Sequence, residues 1–380
     1  MDSIRTISCR LLPAPHQTPR IDATLEAFAA ACNYVAAWGR EHLVSRQYAL
    51  HAGCYYAVRA QFGLSANLTV QAIARVAPQL RKAKTRHATF APTSVGYDAR
   101  IFRFHEADWS VGLTLLDGRV RIPLQVGDYQ YQALRGTAPT SATLVKRRGK
   151  YYINIQVKEP APDPVKGSGT LGVDLGIKKV ATLSDGTQFG GATLNAYRLR
   201  RHKVRRSLQS KADTGVRSTR KNARRVLKRL SGKERRYQRW VNHQISKHIV
   251  ETAKAQGLSI ALEDLEGIRE RTNTRLRRSQ RGLHNTWAFY QLRAFVEYKA
   301  RRAGVEVILV PPAYTSQMCS CCYHLGTRSG ERFECSNCGT AMDADLNGAL
   351  NIAAVGGLVI GLENSPLSCP LPQWAAEAAG

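Results

Sequence analysis

Two C-x-x-C pairs, Cys319-Ser-Cys-Cys322 and Cys335-Ser-Asn-Cys338, lie twelve residues apart. Thiolates on two such knuckles close a tetrahedron around one Zn²⁺ and leave no open position. A segment this short has no hydrophobic core, so the metal supplies its folding energy. The spacing therefore predicts a small zinc-stapled hairpin with a structural ion that does no chemistry. Cys322 fits the pair spacing, Cys321 is the spare beside it, and His324 is a remoter substitute. Cys9, Cys32, Cys54 and Cys369 are scattered singly and read as ordinary thiols. Clustering of this kind points to metal rather than to a disulfide framework.

Charge narrows the partners. Among 380 residues, 56 Lys and Arg stand against 28 Asp and Glu, a formal charge of +28, while 43% hydrophobic residues exclude wholesale disorder. Such an excess implies a polyanion, nucleic acid before anionic membrane. Residues 198–239 hold eighteen Lys and Arg against two acids, Asp213 and Glu234. A solvated helix face intersperses Glu with its cations, so an unbalanced run calls for phosphates. A second cluster comprises Arg269, Arg271, Arg275, Arg277, Arg278 and Arg281. The nucleic-acid contacts expected from these runs are Arg200, Arg201, Arg205, Arg224, Arg225, Arg275, Arg277 and Arg278. No apolar run reaches the ~20 residues that span a bilayer, and the first residues lack a secretory core. A soluble, cytoplasmic protein acting without a membrane is expected.

Texture divides the chain. Residues 3–12 alternate like a strand, residues 20–90 carry a helical pattern, and strand texture returns from about 98 to 158. SATLVKRRGKYYINIQVKE reads as a hairpin turning at Arg147–Lys150. This is a small β-barrel or sheet with a helical insertion at about 18–95, ending at the Pro- and Gly-rich linker 159–169. Beyond it the order is paired strands (GVDLGIKKVATLSDG), a basic helical stretch at about 195–250, a strand (SIALEDL), a helix, a strand (VEVILVPP), the cysteine segment and a helix (DADLNGALNIAAV). That order predicts a mixed α/β sheet over 169–355, with the cysteine insertion at about 314–341 and a loosely held tail at 356–380.

Three acids stand on three of these elements. Alternation puts Gly172, Asp174 and Gly176 on one strand face, and Ser259, Ala261 and Glu263 on another. Asp345 begins a helix with Gly348 and Ala349 on its side. The small neighbours are expected to leave room for a phosphate backbone. Converging carboxylates repel unless cations sit among them, and hard oxygen ligands suit two Mg²⁺ or Mn²⁺ ions. Singly, Asp174 reads as a turn acid and Asp345 as a helix cap, as Asp343 and Asp264 do. Together, hairpin Asp, strand Glu and helix Asp follow the logic of an RNase H-like nuclease.

GVDLGIKKVATLSDG, LEDLEGIR, WAFYQLRAFVEYKARRAG, PPAYTSQMCSCC and DADLNGALNI resemble TnpB, the transposon-associated nuclease akin to type V CRISPR effectors. The resemblance covers about 169–352, roughly half the chain. It implies an α+β multidomain architecture: a wedge β-barrel with an inserted recognition bundle in 1–168, then a RuvC-like domain carrying a zinc ribbon. It implies RNA-guided, metal-dependent cleavage of double-stranded DNA beside a short transposon-adjacent motif, by a monomer in a prokaryotic cytoplasm. Asp174, Glu263 and Asp345 would be the catalytic acids, and Cys319, Cys322, Cys335 and Cys338 the zinc ligands. The motif reader would lie in the N-terminal half, where Asn67, Gln71, Arg81 and Lys82 have suitable chemistry. Trp287, Phe289 and Tyr290 are read as packing a helix on the sheet in preference to stacking bases. Two departures stand out: the first cysteine pair is followed by Tyr323 where the family favours Gly, and Gly348 stands where Ala is commoner. A compact CRISPR-type effector, an RNA-guided repressor and an unguided resolvase or transposase are the competing readings.

Overall fold

A computed structural model describes residues 2–82, 87, 89–265, 289–312 and 315–359. The chain divides into two compact units, one running Asp2–Pro160 and the other from Ala161 onward.

The first unit is a seven-stranded antiparallel sheet with a helical layer. Its elements are β1 (Asp2–Leu11), α1 (Gln17–Glu41), α2 (Gln47–Phe62), α3 (Ala66–Arg81), β2 (Ser94–Tyr97), β3 (Phe102–His105), β4 (Ser110–Leu115), β5 (Gly118–Gln125), α4 (Asp128–Leu134), β6 (Ser141–Arg147) and β7 (Lys150–Pro160). The strand order is β2-β6-β7-β1-β5-β4-β3, with β1 central. Ile7, Cys9 and Leu11 bury one face of β1 at period two, against Phe28, Cys32 and Val35 of α1. The expected hairpin is β6–β7, where Arg148 (φ 52°) and Gly149 (φ 72°) occupy the left-handed region between Arg147 and Lys150. Two consecutive positive φ values make the primed turn that suits strand twist. Ser65 caps α3 by accepting from the Leu68 amide. The short α4 lies within the stretch expected to be all strand; at seven residues it is too brief to leave a helical period.

The second unit is built on a five-stranded mixed sheet. Its elements are β8 (Thr170–Asp174), β9 (Lys179–Leu183), β10 (Gln188–Gly190), α5 (Ala192–Thr214), α6 (Arg217–Leu230), α7 (Lys233–Gln256), β11 (Ser259–Glu263), α8 (Phe289–Ala303), β12 (Val307–Val310), β13 (Thr327–Ser329), β14 (Arg332–Glu334), β15 (Ala341–Asp343) and α9 (Ala344–Val359). The order is β10-β9-β8-β11-β12; β8, β11 and β12 run parallel, while β9 and β10 are antiparallel. A separate antiparallel meander, β13-β14-β15, carries the cysteine segment.

Both sheet faces are covered, which is why β8 and β11 are buried along most of their length. Val173, Ile260 and Leu262 face Ile245, Ile249 and Val250 of α7 and Leu292 and Val296 of α8. Ala261, Ile308 and Val310 face Ile352 of α9. Here one expectation is corrected. The small residues beside the acids make room for a helix, not for a phosphate backbone. A Cβ at Gly172 would stand 2.0 Å from the Ala349 carbonyl oxygen, and one at Gly356 would stand 2.6 Å from the Ala261 Cβ. The same contact carries α9 through Gly356 to Val359, past the expected start of a loose tail at 356. Residues 360–380, with Cys369, lie outside the described residues.

Candidate functional site

Strand register brings the first two acids together. Leu262 pairs with Val173 in the parallel ladder, so Glu263 and Asp174 end adjacent strands side by side. Both stand on the strand side covered by α9, with the small neighbours Gly172 and Ala261 that alternation gave each of them. Gly348, one turn into that helix, would place a Cβ 3.5 Å from Asp174 Oδ2. That is ordinary contact, so the family's commoner Ala would also be accommodated.

The third acid arrives on the first turn of α9. Asp343 caps this helix, its Oδ1 accepting from the Asp345 and Leu346 amides at 3.1 Å each. The cap is thus Asp343, and Asp345 is free to turn inward at 8% exposure. Asp264, the other bystander, pairs with Arg293 at 2.6 Å.

Two cations meet this acidic centre. Arg328 Nη2, from β13 of the meander, lies 2.7 Å from Asp345 Oδ1. Lys179 Nζ lies 3.7 Å from Asp345 Oδ2 and ion-pairs with Asp343. Burial, then the charges of Glu263 and Asp345, push the Asp174 carboxyl up to about 7, against a lowering pull from Arg328. Glu263 is also raised, by burial, while the Thr315 hydroxyl and Arg328 pull it back. Mutual repulsion of this kind is what hard divalent cations relieve, and an all-carboxylate donor set fits Mg²⁺ or Mn²⁺. The three acids stay further apart than ligands of one compact ion. Among the described residues, the one group of potential ligands within 4.8 Å of one another is Cys319, Cys322, Cys335 and Cys338.

That cysteine group is closed. Cys319 and Cys338 Sγ lie 3.6 Å apart, and Cys322 and Cys335 Sγ lie 3.5 Å apart. A tetrahedron with ~2.3 Å Zn–S bonds has edges close to these values. The geometry selects Cys322 over Cys321, and His324 instead turns its Nδ1 toward the Cys322 carbonyl at 3.0 Å. Burial raises the Cys322 thiol, but hydrogen bonding from Asn337, the His324 backbone and the neighbouring cysteines outweighs it and brings the group down to about 6. The two knuckles share one turn. The Tyr323 amide donates to Cys319 O and the Gly339 amide to Cys335 O, both at 3.0 Å. Both residues sit at positive φ, 60° for Tyr323 and 70° for Gly339. The family's preference for Gly after the first pair therefore has a steric cause, and Tyr323 carries the cost of about 1–2 kcal/mol.

The basic run forms α5, α6 and the start of α7. In α6 only Ala223 is buried, and Arg200, Arg205, Arg224 and Arg225 are exposed. Arg201 stacks over the Tyr197 ring at 4.9 Å and lines a cleft of about 390 Å³ with Arg205 and Arg235. Arg224 lines a second cleft of about 400 Å³ with Arg217, Arg220 and Lys221. Arg269, Arg271, Arg275, Arg277, Arg278, Arg281 and Trp287 lie outside the described residues. Phe289 is buried against the sheet as expected, but Tyr290 is 64% exposed because it falls on the outer side of α8. On α3, Gln71 donates to Asp98 at 3.0 Å, which ties the helix to the β2–β3 turn. Asn67 shares its face, whereas Arg81 and the capping Lys82 are exposed at the helix end. The sequence reading missed Arg328, Lys179 and Thr315, although all three sat in segments already singled out.

Comparison with known proteins places these features in a family context. Residues 152–268 match the family model OrfB_IS605, described as probable transposase, and residues 289–352 match the Cas12f1-like, TNB domain model. InsQ of Escherichia coli (strain K12) is 32% identical over 236 residues, covering 58% of this chain and 57% of InsQ. A CRISPR-associated endodeoxyribonuclease Cas12f1 of Sulfoacidibacillus thermotolerans is 32% identical over 221 residues, covering 54% of this chain and 50% of that protein. The chain thus matches little more than half the length of these two curated relatives. A TnpB-like protein of Methanocaldococcus jannaschii is 28% identical over 242 residues, covering 61% of this chain and 85% of its own. Among solved structures, the Cas12f1 chain in a cryo-EM complex with single-guide RNA and target DNA superposes with TM-score 0.64 at 14% identity. That match covers 89% of this chain and 82% of the other, a likeness of fold. The resemblance to TnpB read from the motifs is borne out.

Proposed function

We propose that this relative of the TnpB-like and Cas12f proteins is an RNA-guided, Mg²⁺-dependent endonuclease that cuts double-stranded DNA beside a short transposon-adjacent motif. The observation that carries this reading is the meeting of Asp174, Glu263 and Asp345 at two adjacent strand ends and one helix turn, where burial and mutual charge push Asp174 up to about 7. A carboxyl held that high has surroundings that call for a cation. When bound, divalent ions supply Lewis-acid activation of water and stabilisation of the leaving oxygen. Asp174, Glu263 and Asp345 would hold the two ions. Arg328 and Lys179 balance the acid charge where they touch Asp345 and Asp343.

Cys319, Cys322, Cys335 and Cys338 would hold one structural Zn²⁺. The names of the matched relatives support a nuclease, and the exposed arginines of α5 and α6 support a long polyanion held by its backbone. On this reading the first unit is the wedge and recognition region, and the five-stranded sheet is the RuvC-like core. The protein acts as a monomer on a guide RNA and target DNA. The three acids present here argue against the repressor alternative.

The test is to purify the full chain, sequence the RNA that accompanies it, and assay cleavage of DNA matching that RNA. Asp174→Ala, Glu263→Ala and Asp345→Ala should each lower Mg²⁺-dependent cutting by on the order of 10³-fold or more while RNA stays bound. Cutting at the parent rate by any variant removes that acid from the mechanism. Activity that survives removal of the RNA favours the unguided resolvase.

A further inference from the structure

We propose that Thr315 is a positioning residue for Glu263, delivered to that carboxylate by the cysteine segment. The inference rests on reading Asp174, Glu263 and Asp345 as metal-holding acids, and it deepens that reading.

Thr315 belongs to the TSQM stretch that precedes the first knuckle, and it is 3% exposed. Its hydroxyl donates to Glu263 Oε1 and lies 3.5 Å from the Pro312 carbonyl oxygen. A hydroxyl has one proton to give, and the closer, charged acceptor takes it. Glu263 is a long side chain at the end of a strand, with three torsions free to wander. A donor fixed on Oε1 pins the carboxylate plane, and with it the position of Oε2. The same bond favours the ionised form that a metal requires.

The donor can do this only if its own backbone is held, and two amides hold it. Asn351 Nδ2 donates to Thr315 O at 2.8 Å and to Met318 O at 2.6 Å. Asn347 Nδ2 donates to Met318 O at 2.7 Å, while its Oδ1 accepts from the Ser320 amide at 2.9 Å. Both asparagines are 0% exposed and stand on α9, the helix whose first turn carries Asp345. Cys319 follows at once in the chain. One continuous path therefore runs from the helix bearing the third acid, through the start of the knuckle, to the oxygen of the second acid. The cysteine segment fixes Glu263 through Thr315 as well as Asp345 through Arg328.

The experiment titrates the zinc-loaded full chain with Mn²⁺ alone and follows free Mn²⁺ by electron paramagnetic resonance, counting as the acid site the binding that Asp174→Ala removes. Thr315→Val keeps the volume and the backbone oxygen that Asn351 holds, but deletes the donor. It should weaken Mn²⁺ at the acid site by about 10- to 100-fold, as loss of a partner to a metal-ligating group does. Thr315→Ser should restore the parent affinity. Thr315→Ala removes the donor without a branched side chain and should give the same weakening. A zinc-loaded Thr315→Val that binds Mn²⁺ as the parent does overturns the inference. So does loss of zinc from both the Val and Ala variants, which would make the residue a structural one. A parent chain with no Asp174-dependent Mn²⁺ site overturns the reading of the acids themselves, and this inference with it.

Discussion

The cysteine group and the acid centre are two metal-site candidates built on opposite terms. The cysteines lie within 4.8 Å of one another, the spacing that a tetrahedral thiolate site requires. The carboxylates do not close, and what approaches Asp345 is a guanidinium at 2.7 Å and an ammonium at 3.7 Å. A soft thiolate set folds around one ion and acts as a staple. A hard anionic set must be propped by cations and by packing. The difference separates a place that folds from a place that works.

The comparison breaks first at the staple. Cys335→Ser or Cys338→Ser should lower zinc from one ion per chain to none and cost several kcal/mol locally. Metal analysis with amide exchange over 319–343 measures both. Full protection without zinc would make the group a cluster of plain thiols.

Next in size is the acid centre's dependence on pH. Asp174 is raised from an ordinary 3.8 to about 7, so the folded chain binds its proton more tightly than the unfolded chain. The stability it contributes is complete below the unfolded value and is lost as pH rises through the folded one. Metal-free protein should therefore weaken from about pH 4 to pH 7 by up to about 4 kcal/mol, less what solvent screens at a partly exposed carboxyl. Asp174→Asn should flatten this slope in denaturant titrations, and Mg²⁺ should do so without mutation. An unchanged slope would mean that the carboxylates do not repel as described.

The smallest effect sharpens the staple alone. Tyr323→Gly relieves a left-handed tyrosine at φ 60° and should stabilise the knuckle by about 0.5–1 kcal/mol, leaving the acids untouched. Slower release of zinc to a chelator is the readout, and faster release would refute the steric account.

Much of this was legible in the amino acids. The cysteine spacing carried the ligand set, because two knuckles form from contiguous residues. Alternation in GVD and ALE put Asp174 and Glu263 each on the small-residue side of its own strand, and the strand register then set them on one face. Arg328 and Lys179 were not legible. Each reaches the centre across a tertiary gap and looks, in a chain of 56 basic residues, like any other. Gln71 was read as a base reader, and its engagement with Asp98 was not legible, since an amide's chemistry does not say which partners will claim it. Gly172 was read for the right property and the wrong occupant: absence of a side chain marks close approach, and only the fold says what approaches.

That close approach has a further consequence. Where α9 crosses β8 at Gly172, the main chain of the strand lies against the Ala349 carbonyl and the Ala353 amide, and the Thr170 hydroxyl donates to Ala353 O. The offset between a carboxylate on the helix and one on the strand is thereby gauged mainly by backbone dimensions, with few large side chains to vary it. Neighbouring core positions can be exchanged for larger or smaller hydrophobes while the spacing that the chemistry depends on stays the same.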